Sequence, residues 1–350
     1  MSERLRVVQW TTGRVGRLAL RAILDDPRLE LVGVYAWSEA KRGLDAGTLC
    51  GRPPCGVRAT GDVDALLALA PDAVVYTPFA ADLEEVARIL ESGADVASTN
   101  LFQHLGGVRG AVRARLEEAC RRGGSSLLVT GVNPGWVNGL MASATAVCAR
   151  VEAVSLLECA DCSVYQSPHT WQALGMGERD GMTPERAAQA RAWLVMFADV
   201  VERVAEALAL PLERVEFFCE YGRAARRVDL GWYLLEEGSN AALRGGFRGH
   251  AFGEVRVEVT VLWYLTPHLQ EEWEIFPEHY RLEVRGEPGV ELRLAFHPPA
   301  HWGHEEWDTM TALPAVNALP DLCRARPGIL GLRDLPPTTA PAGLWLAGAR

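Results

Sequence analysis

Residues 5–21, LRVVQWTTGRVGRLALR, decide how the rest of the chain is read. Leu5, Val7 and Val8 make a short apolar run, and Gln9 to Thr12 make a turn. Gly13 and Gly16 then bend the chain into a helix on which Val15, Leu18, Ala19 and Ile23 fall at helical spacing. A strand that breaks through glycines into a helix directs backbone N–H groups and the positive helix end at one point, which suits a phosphate. The dinucleotide fingerprint G-x-G-x-x-G is met imperfectly, by Thr11, Gly13 and Gly16. Gly13 would admit the pyrophosphate, Gly16 would let helix and strand pack closely, and Thr11 stands where a tight turn asks for glycine. The expected contacts of a bound dinucleotide here are Thr11, Thr12, Gly13, Arg14, Val15 and Gly16.

Beyond this turn the chain alternates strand and helix. Strands are expected at Leu29 to Trp37, Val57 to Ala59, Ala73 to Tyr76, Asp95 to Ser98 and Ser126 to Val129, with helices at Val63 to Leu69, Leu83 to Leu90 and Val112 to Cys120. This pattern predicts an α/β Rossmann-type, doubly wound parallel sheet over residues 1–145, with ligand at the carboxyl ends of its strands. Past Arg150 the pattern changes. Longer alternating strands such as VRVEVTVLW predict an α+β substrate and dimerisation domain over residues 146–306, with a largely antiparallel sheet. Ser163 to Pro184 reads as a long polar loop, either a lid over a site or a dimer-interface arm, and Glu185 to Leu208 as one long helix. A helix near 307–325 is expected to return to the first domain, and the Pro- and Gly-rich tail is expected on the surface.

The strand ends nominate the site residues. No acidic residue closes Leu29 to Trp37. Ser38, Lys41 and Arg42 follow instead, which favours a 2′-phosphate and hence NADP, with NAD the alternative. Thr77 and Pro78 follow the next strand, and Asn133-Pro134-Gly135 stands where a nicotinamide ring would arrive. Asn100, Phe102, Gln103 and His104 follow Ser98, and His104 is a candidate proton donor because its ordinary pKa lies near neutrality. Glu158, within an apolar strand, is expected to be either paired or catalytic. Asp161, Tyr165, His169 and Trp171 are candidates for a substrate pocket.

Composition narrows the function. With 350 residues and a net charge of −10, affinity for nucleic acid or an anionic membrane is not expected. The absence of a long apolar run and of a signal peptide leads to a cytoplasmic expectation. The eight cysteines, Cys159-x-x-Cys162 included, lack spaced histidines, so buried thiols are expected and no metal. Lys41 is the only lysine, so a mechanism with a lysine in the second domain is excluded.

Taken together, RVVQWTTGRVGR, ELVGVYAWSEAKRGLDAGTLCG, PDAVVYTP, GVNPGW, CEYG with VDLG, and MTALPAVNALP resemble one family. It is the actinobacterial group with a dihydrodipicolinate reductase-like N-terminal domain, similar to 2,4-diaminopentanoate dehydrogenase and to native NAD(P)H-dependent amine dehydrogenases. The resemblance implies a homodimer and reversible reductive amination of a small ketone or aldehyde with ammonia. A carbonyl reductase of the same fold, and a catalytically silent dinucleotide sensor, are the alternatives. Two departures stand out. The chain has no lysine to match the catalytic lysine of true dihydrodipicolinate reductases. Leu101 and Phe102 stand where the amine dehydrogenases carry a carboxylate after the fifth strand.

Overall fold

A computed structural model describes residues 4–101, 111–276, 279–303 and 305–341. In chain order the elements are β1 (Leu5–Trp10), α1 (Arg14–Asp25), β2 (Leu29–Tyr35), α2 (Ala46–Leu49), β3 (Ala59–Thr60), α3 (Val63–Leu67), β4 (Ala73–Tyr76) and α4 (Leu83–Glu91). There follow β5 (Asp95–Ser98), α5 (Ala111–Gly123), β6 (Ser126–Val129), α6 (Val137–Ala144), β7 (Arg150–Asp161), α7 (Pro168–Ala173), α8 (Pro184–Leu194) and α9 (Met196–Ala207). The chain continues through β8 (Arg214–Arg223), β9 (Val228–Asp229), β10 (Leu234–Leu235), β11 (Asn240–Ala251), β12 (Glu254–Tyr264), β13 (Tyr280–Glu287) and β14 (Val290–Leu294). It closes with α10 (Thr309–Leu322) and β15 (Gly328–Leu330). Two compact units result, Met1–Gly139 with His301–Arg350, and Leu140–Ala300.

The first unit is a seven-stranded sheet in the order β15-β6-β5-β4-β1-β2-β3, every pair parallel. Its central strands are apolar on both faces, as a sheet covered by helices requires: AVVY of β4 and SLLV of β6 are buried along their whole length. The chain winds from β1 outward to β2 and β3, then returns to β4 and proceeds the other way. The topological switch point therefore lies between β1 and β4, where ligands of such sheets bind. On one face α1 packs beside α10, and Leu18, Ala19 and Ile23 share a core with Ala312, Val316 and Leu319.

The tail corrects the sequence expectation. Gly328–Leu330 is a seventh strand paired with β6, and Leu330 is buried. Three residues behind a proline carry no periodicity from which a strand could be read.

The second unit is a six-stranded sheet in the order β14-β13-β7-β12-β11-β8, with β7 and β12 parallel and the remaining pairs antiparallel. α9 lays Phe197, Val201 and Val204 against β11 and β12. The other sheet face carries Cys159, Ala242 and Leu262 under Phe276, with Trp273 and Ile275 packed alongside. The helix expected over Glu185 to Leu208 is interrupted at Val195, which keeps helical dihedrals, so α8 and α9 follow one another with a single-residue break.

Residues 163–184 also differ from the expected plain loop. They contain α7, and Trp171 is buried at 4% exposure. Side chains hold the backbone carbonyls of this segment. Trp232 Nε1 donates to Ser163 O (2.8 Å), Trp171 Nε1 to Tyr165 O (2.8 Å), Tyr221 Oη to Leu174 O (2.7 Å), and Tyr233 Oη to Met176 O (2.8 Å). Asn240 Nδ2 donates to Gly175 O (2.9 Å) and Asp180 O (3.0 Å). A long irregular segment packed on a sheet needs such partners for its backbone groups, and here tyrosines, tryptophans and an asparagine supply them.

Candidate functional site

The turn between β1 and α1 is built from beneath by Gln9. Although it lies in a strand, Gln9 is fully buried, and its amide donates to Trp10 O (3.2 Å), Thr11 O (3.0 Å) and Thr77 Oγ1 (2.9 Å). Thr77, the first residue after β4, returns a hydroxyl bond to Trp10 O (3.0 Å) and lies 3.3 Å from Thr11 Oγ1. Strands β1 and β4 are thus locked together at the switch point by polar side chains. The sequence reading places Gln9 at the start of the turn, whereas β1 runs on to Trp10 and Gln9 is a strand residue whose buried amide braces the turn.

Thr11 adopts φ +74°, the left-handed conformation that the first glycine of the fingerprint normally supplies. For a β-branched residue this is an outlier, held by the Gln9 and Thr77 bonds around it. Gly16 is required by packing. A Cβ there would meet Thr11 O at 2.5 Å and Thr77 Oγ1 at 2.9 Å. Gly13 differs: at φ −70° it needs no special backbone freedom, and a Cβ would meet nothing within 4 Å. The space above Gly13 is open. No side chain caps α1 and no acidic residue lies in its first turn, so the helix's own sequence places no anion at its positive end. These features fit the pyrophosphate of a dinucleotide.

The flanking cations are arranged on backbone. Lys41 Nζ donates to Thr12 O (2.8 Å), and Arg42 donates to Ala36 O and Trp37 O (3.2 Å each). Ser38 begins the short 3-10 turn Glu39–Lys41 without capping it. Arg14 pairs with Asp308 (2.8 Å), so its charge is matched within the protein. Burial pushes the Asp308 carboxyl up, and Arg14 opposes that shift. Val15 lies in the first turn of α1 and is partly buried. Asn100 donates to the carbonyls of Pro78 and Phe79, the latter at 2.6 Å. Phe102, Gln103 and His104 lie outside the described residues, and Leu101, beside them, is fully buried.

After β6 the segment Val132–Trp136 carries extended backbone at Asn133 and Pro134. Asn138 was not foreseen. Its Nδ2 donates to Asn133 Oδ1 (3.0 Å) while its Oδ1 accepts from Gly135 N (2.6 Å), so one amide orients another.

In the second unit Glu158 and Tyr280 face each other across β7 and β13. Glu158 Oε1 accepts the Trp263 indole N–H (2.8 Å), and the Tyr280 hydroxyl also bonds to Glu158. Burial and the Glu158 carboxylate hold the Tyr280 phenol well above its usual range, so it remains a donor. Asp161, at the exposed end of the same strand, accepts from Ser163 N (2.9 Å). Tyr165 is exposed and meets Trp171 edge-on at 5.8 Å, while His169 is exposed on α7. No group of three or more His, Cys, Asp or Glu among the described residues could hold a metal, and all eight cysteines are unpaired. No described helix is long and apolar enough to cross a membrane.

Comparison with known proteins agrees with this reading. No family model matches the chain. An amine dehydrogenase from Streptomyces virginiae is 28% identical over 351 residues, covering 95% of this chain and 96% of that one. A 4-hydroxy-tetrahydrodipicolinate reductase from Rhodopseudomonas palustris is 38% identical over 94 residues, 27% of this chain and 35% of its own. Among solved structures, an amine dehydrogenase from Mycobacterium smegmatis superposes with a TM-score of 0.74 at 18% identity, covering 97% of this chain and 98% of the other. The fold expected from the sequence, and the resemblance to dihydrodipicolinate reductase-like and amine dehydrogenase proteins, are borne out.

Proposed function

We propose that this chain, an NAD(P)-dependent oxidoreductase of the amine dehydrogenase-like type, catalyses the reductive amination of a small ketone or aldehyde. The observation that carries this is the uncapped N-terminus of α1, open above Gly13 and closed beneath by Gln9 and Thr77 at the switch point of a parallel sheet. The full-length similarity to an amine dehydrogenase supports the choice of reaction.

When bound, the nicotinamide supplies or accepts a hydride. The chain's part is to hold and to exclude. Backbone amides at Thr12 to Gly16 receive the diphosphate, and Thr77 and Pro78 border it. Asn133, oriented by Asn138, is assigned to the nicotinamide end. Proton handling is assigned to Glu158, held by Trp263 and Tyr280, or to His104. We read NADP over NAD, because β2 ends without a carboxylate and Lys41 and Arg42 stand beside it. Asn100, Phe102, Gln103, Asp161, Tyr165, His169 and Trp171 remain the proposed substrate-pocket residues. A homodimer in the cytoplasm is part of the same proposal.

One observation favours a second reading, carbonyl reduction. Leu101 is fully buried where amine-forming relatives are expected to place a carboxylate. Oxidation of NADPH by a panel of ketones, with and without ammonium, tests both. A rate that needs ammonium upholds reductive amination, an ammonium-independent rate upholds carbonyl reduction, and no rate on any substrate overturns both.

A further inference from the structure

Among the described residues, the two most exposed large apolar side chains are Phe79, at 96%, and Trp37, at 79%. Both lie just past strand ends in the first unit: Trp37 follows β2 and Phe79 follows β4. Those strands flank β1 on either side, so their carboxyl ends stand about two strand spacings, or roughly 10 Å, apart across the phosphate turn. What sets these two rings apart from scattered surface apolar residues is that they flank one and the same turn.

Their backbones are held in place. The Trp37 carbonyl accepts from Arg42 at 3.2 Å, and the Phe79 carbonyl accepts from the Asn100 amide at 2.6 Å. The backbone that carries each ring is thus held, so less of the chain has to be ordered when something stacks there. The end of β2 is where the adenosine half of a dinucleotide lies in such sheets. In this chain that position carries an indole instead of a carboxylate.

We propose that Trp37 and Phe79 form an aromatic clamp for the adenine base of the coenzyme, one ring approaching from each side of β1. The clamp rests on the coenzyme reading above and supplies the adenosine contact that the absent carboxylate does not. Specificity at this end then comes from stacking, which accepts any purine face, with Arg42 beside Trp37 as the charged neighbour.

Titration of the full-length protein with ADP, which carries adenine and diphosphate, and with nicotinamide mononucleotide, which lacks adenine, tests this. Trp37→Ala and Phe79→Ala should each weaken ADP binding about 5- to 150-fold, the range for losing one base-stacking ring. Nicotinamide mononucleotide affinity should be unchanged, and Trp37→Phe, which keeps a ring, should restore most of the ADP affinity. Unchanged ADP binding in both alanine variants overturns the clamp, and a change in sedimenting mass in its place would identify the rings as subunit contacts. Failure of the wild-type protein to bind NADPH or NADH at all is a separate result. It would overturn the coenzyme reading itself, and the clamp with it.

Discussion

Two glycines three residues apart in the phosphate turn should fail in opposite ways when each is given one methyl group. At Gly16 the new Cβ would lie 2.5 Å from Thr11 O and 3.0 Å from Thr11 C, backbone atoms already fixed by the Gln9 amide. Backbone cannot rotate away as a flexible side chain can, so α1 must shift or Thr11 must leave its left-handed conformation. Overpacking of this kind costs about 1–3 kcal/mol. At roughly 2–4 °C per kcal/mol for a unit of the size of the first one, Gly16→Ala should melt about 2–12 °C lower.

At Gly13 the Cβ meets nothing, and φ −70° suits alanine. The weaker helix cap costs about 0.5–1 kcal/mol, and the lost unfolded-state freedom of glycine returns about as much. The melting temperature of Gly13→Ala should therefore stay near that of wild type. Its methyl, however, occupies the space assigned to the pyrophosphate and displaces at least one charge-assisted N–H contact, of about 1.5–3 kcal/mol. That corresponds to roughly a 10- to 100-fold loss of NADPH affinity. Thermal denaturation with and without NADPH reads both variants. If Gly13→Ala binds NADPH like wild type, the diphosphate does not sit at this turn. If Gly16→Ala melts unchanged, the packing argument is wrong.

Four further outcomes are expected. Thr11→Gly should raise the melting temperature, because a strained left-handed threonine costs about 1–3 kcal/mol while the added glycine entropy costs about 0.5–1; a lower melting temperature would show that its hydroxyl contact with Thr77 matters more. Arg42→Ala should weaken NADPH roughly tenfold and leave NADH nearly unchanged, as loss of one phosphate-pairing cation would; equal effects on both coenzymes would refute the 2′-phosphate assignment. Asp95, whose carboxyl is pushed up to about 6 chiefly by burial, binds its proton more tightly folded than unfolded, so it lowers stability as pH rises from about 4 to above 6. Asp95→Asn, which can still accept from Ser126 N (2.6 Å), should then stabilise by about 1–2 kcal/mol at pH 8 after discounting for partial exposure, and by nothing near pH 3; a gain independent of pH would refute this. Glu158→Gln should lower kcat at least tenfold if the carboxylate moves a proton, with little change in NADPH affinity; an unchanged kcat would move the proton step elsewhere.

The parallel sheet was legible because its strands are short apolar runs and its helices carry a helical stripe, both local properties of the chain. The phosphate turn was legible for the same reason. The Thr11 substitution looked like a flaw in the motif and proves to be the same backbone conformation reached at a cost. What escaped reading was relational. Gln9 bracing Thr77, Asn138 orienting Asn133, and the bonds from Trp263 and Tyr280 to Glu158 all join residues that only the folded chain brings together. The strand Gly328–Leu330 escaped for lack of length, since its identity is conferred by the edge of β6 on which it pairs.

The same distinction bears on the chemistry. A missing carboxylate at Leu101 reads, along the sequence, as a missing function. In the folded protein Leu101 is a core residue with no exposure, so an acid at that position would have to be desolvated. Glu158 occupies the contrary environment. A buried phenol and an indole N–H both donate to it, the kind of support that lets a carboxylate sit in an apolar strand and keep its orientation. A proton-handling acid needs such positioning more than it needs any particular place in the chain. On the proposed reading that role falls to Glu158, and replacing Trp263 by Phe should then impair turnover while leaving coenzyme affinity intact.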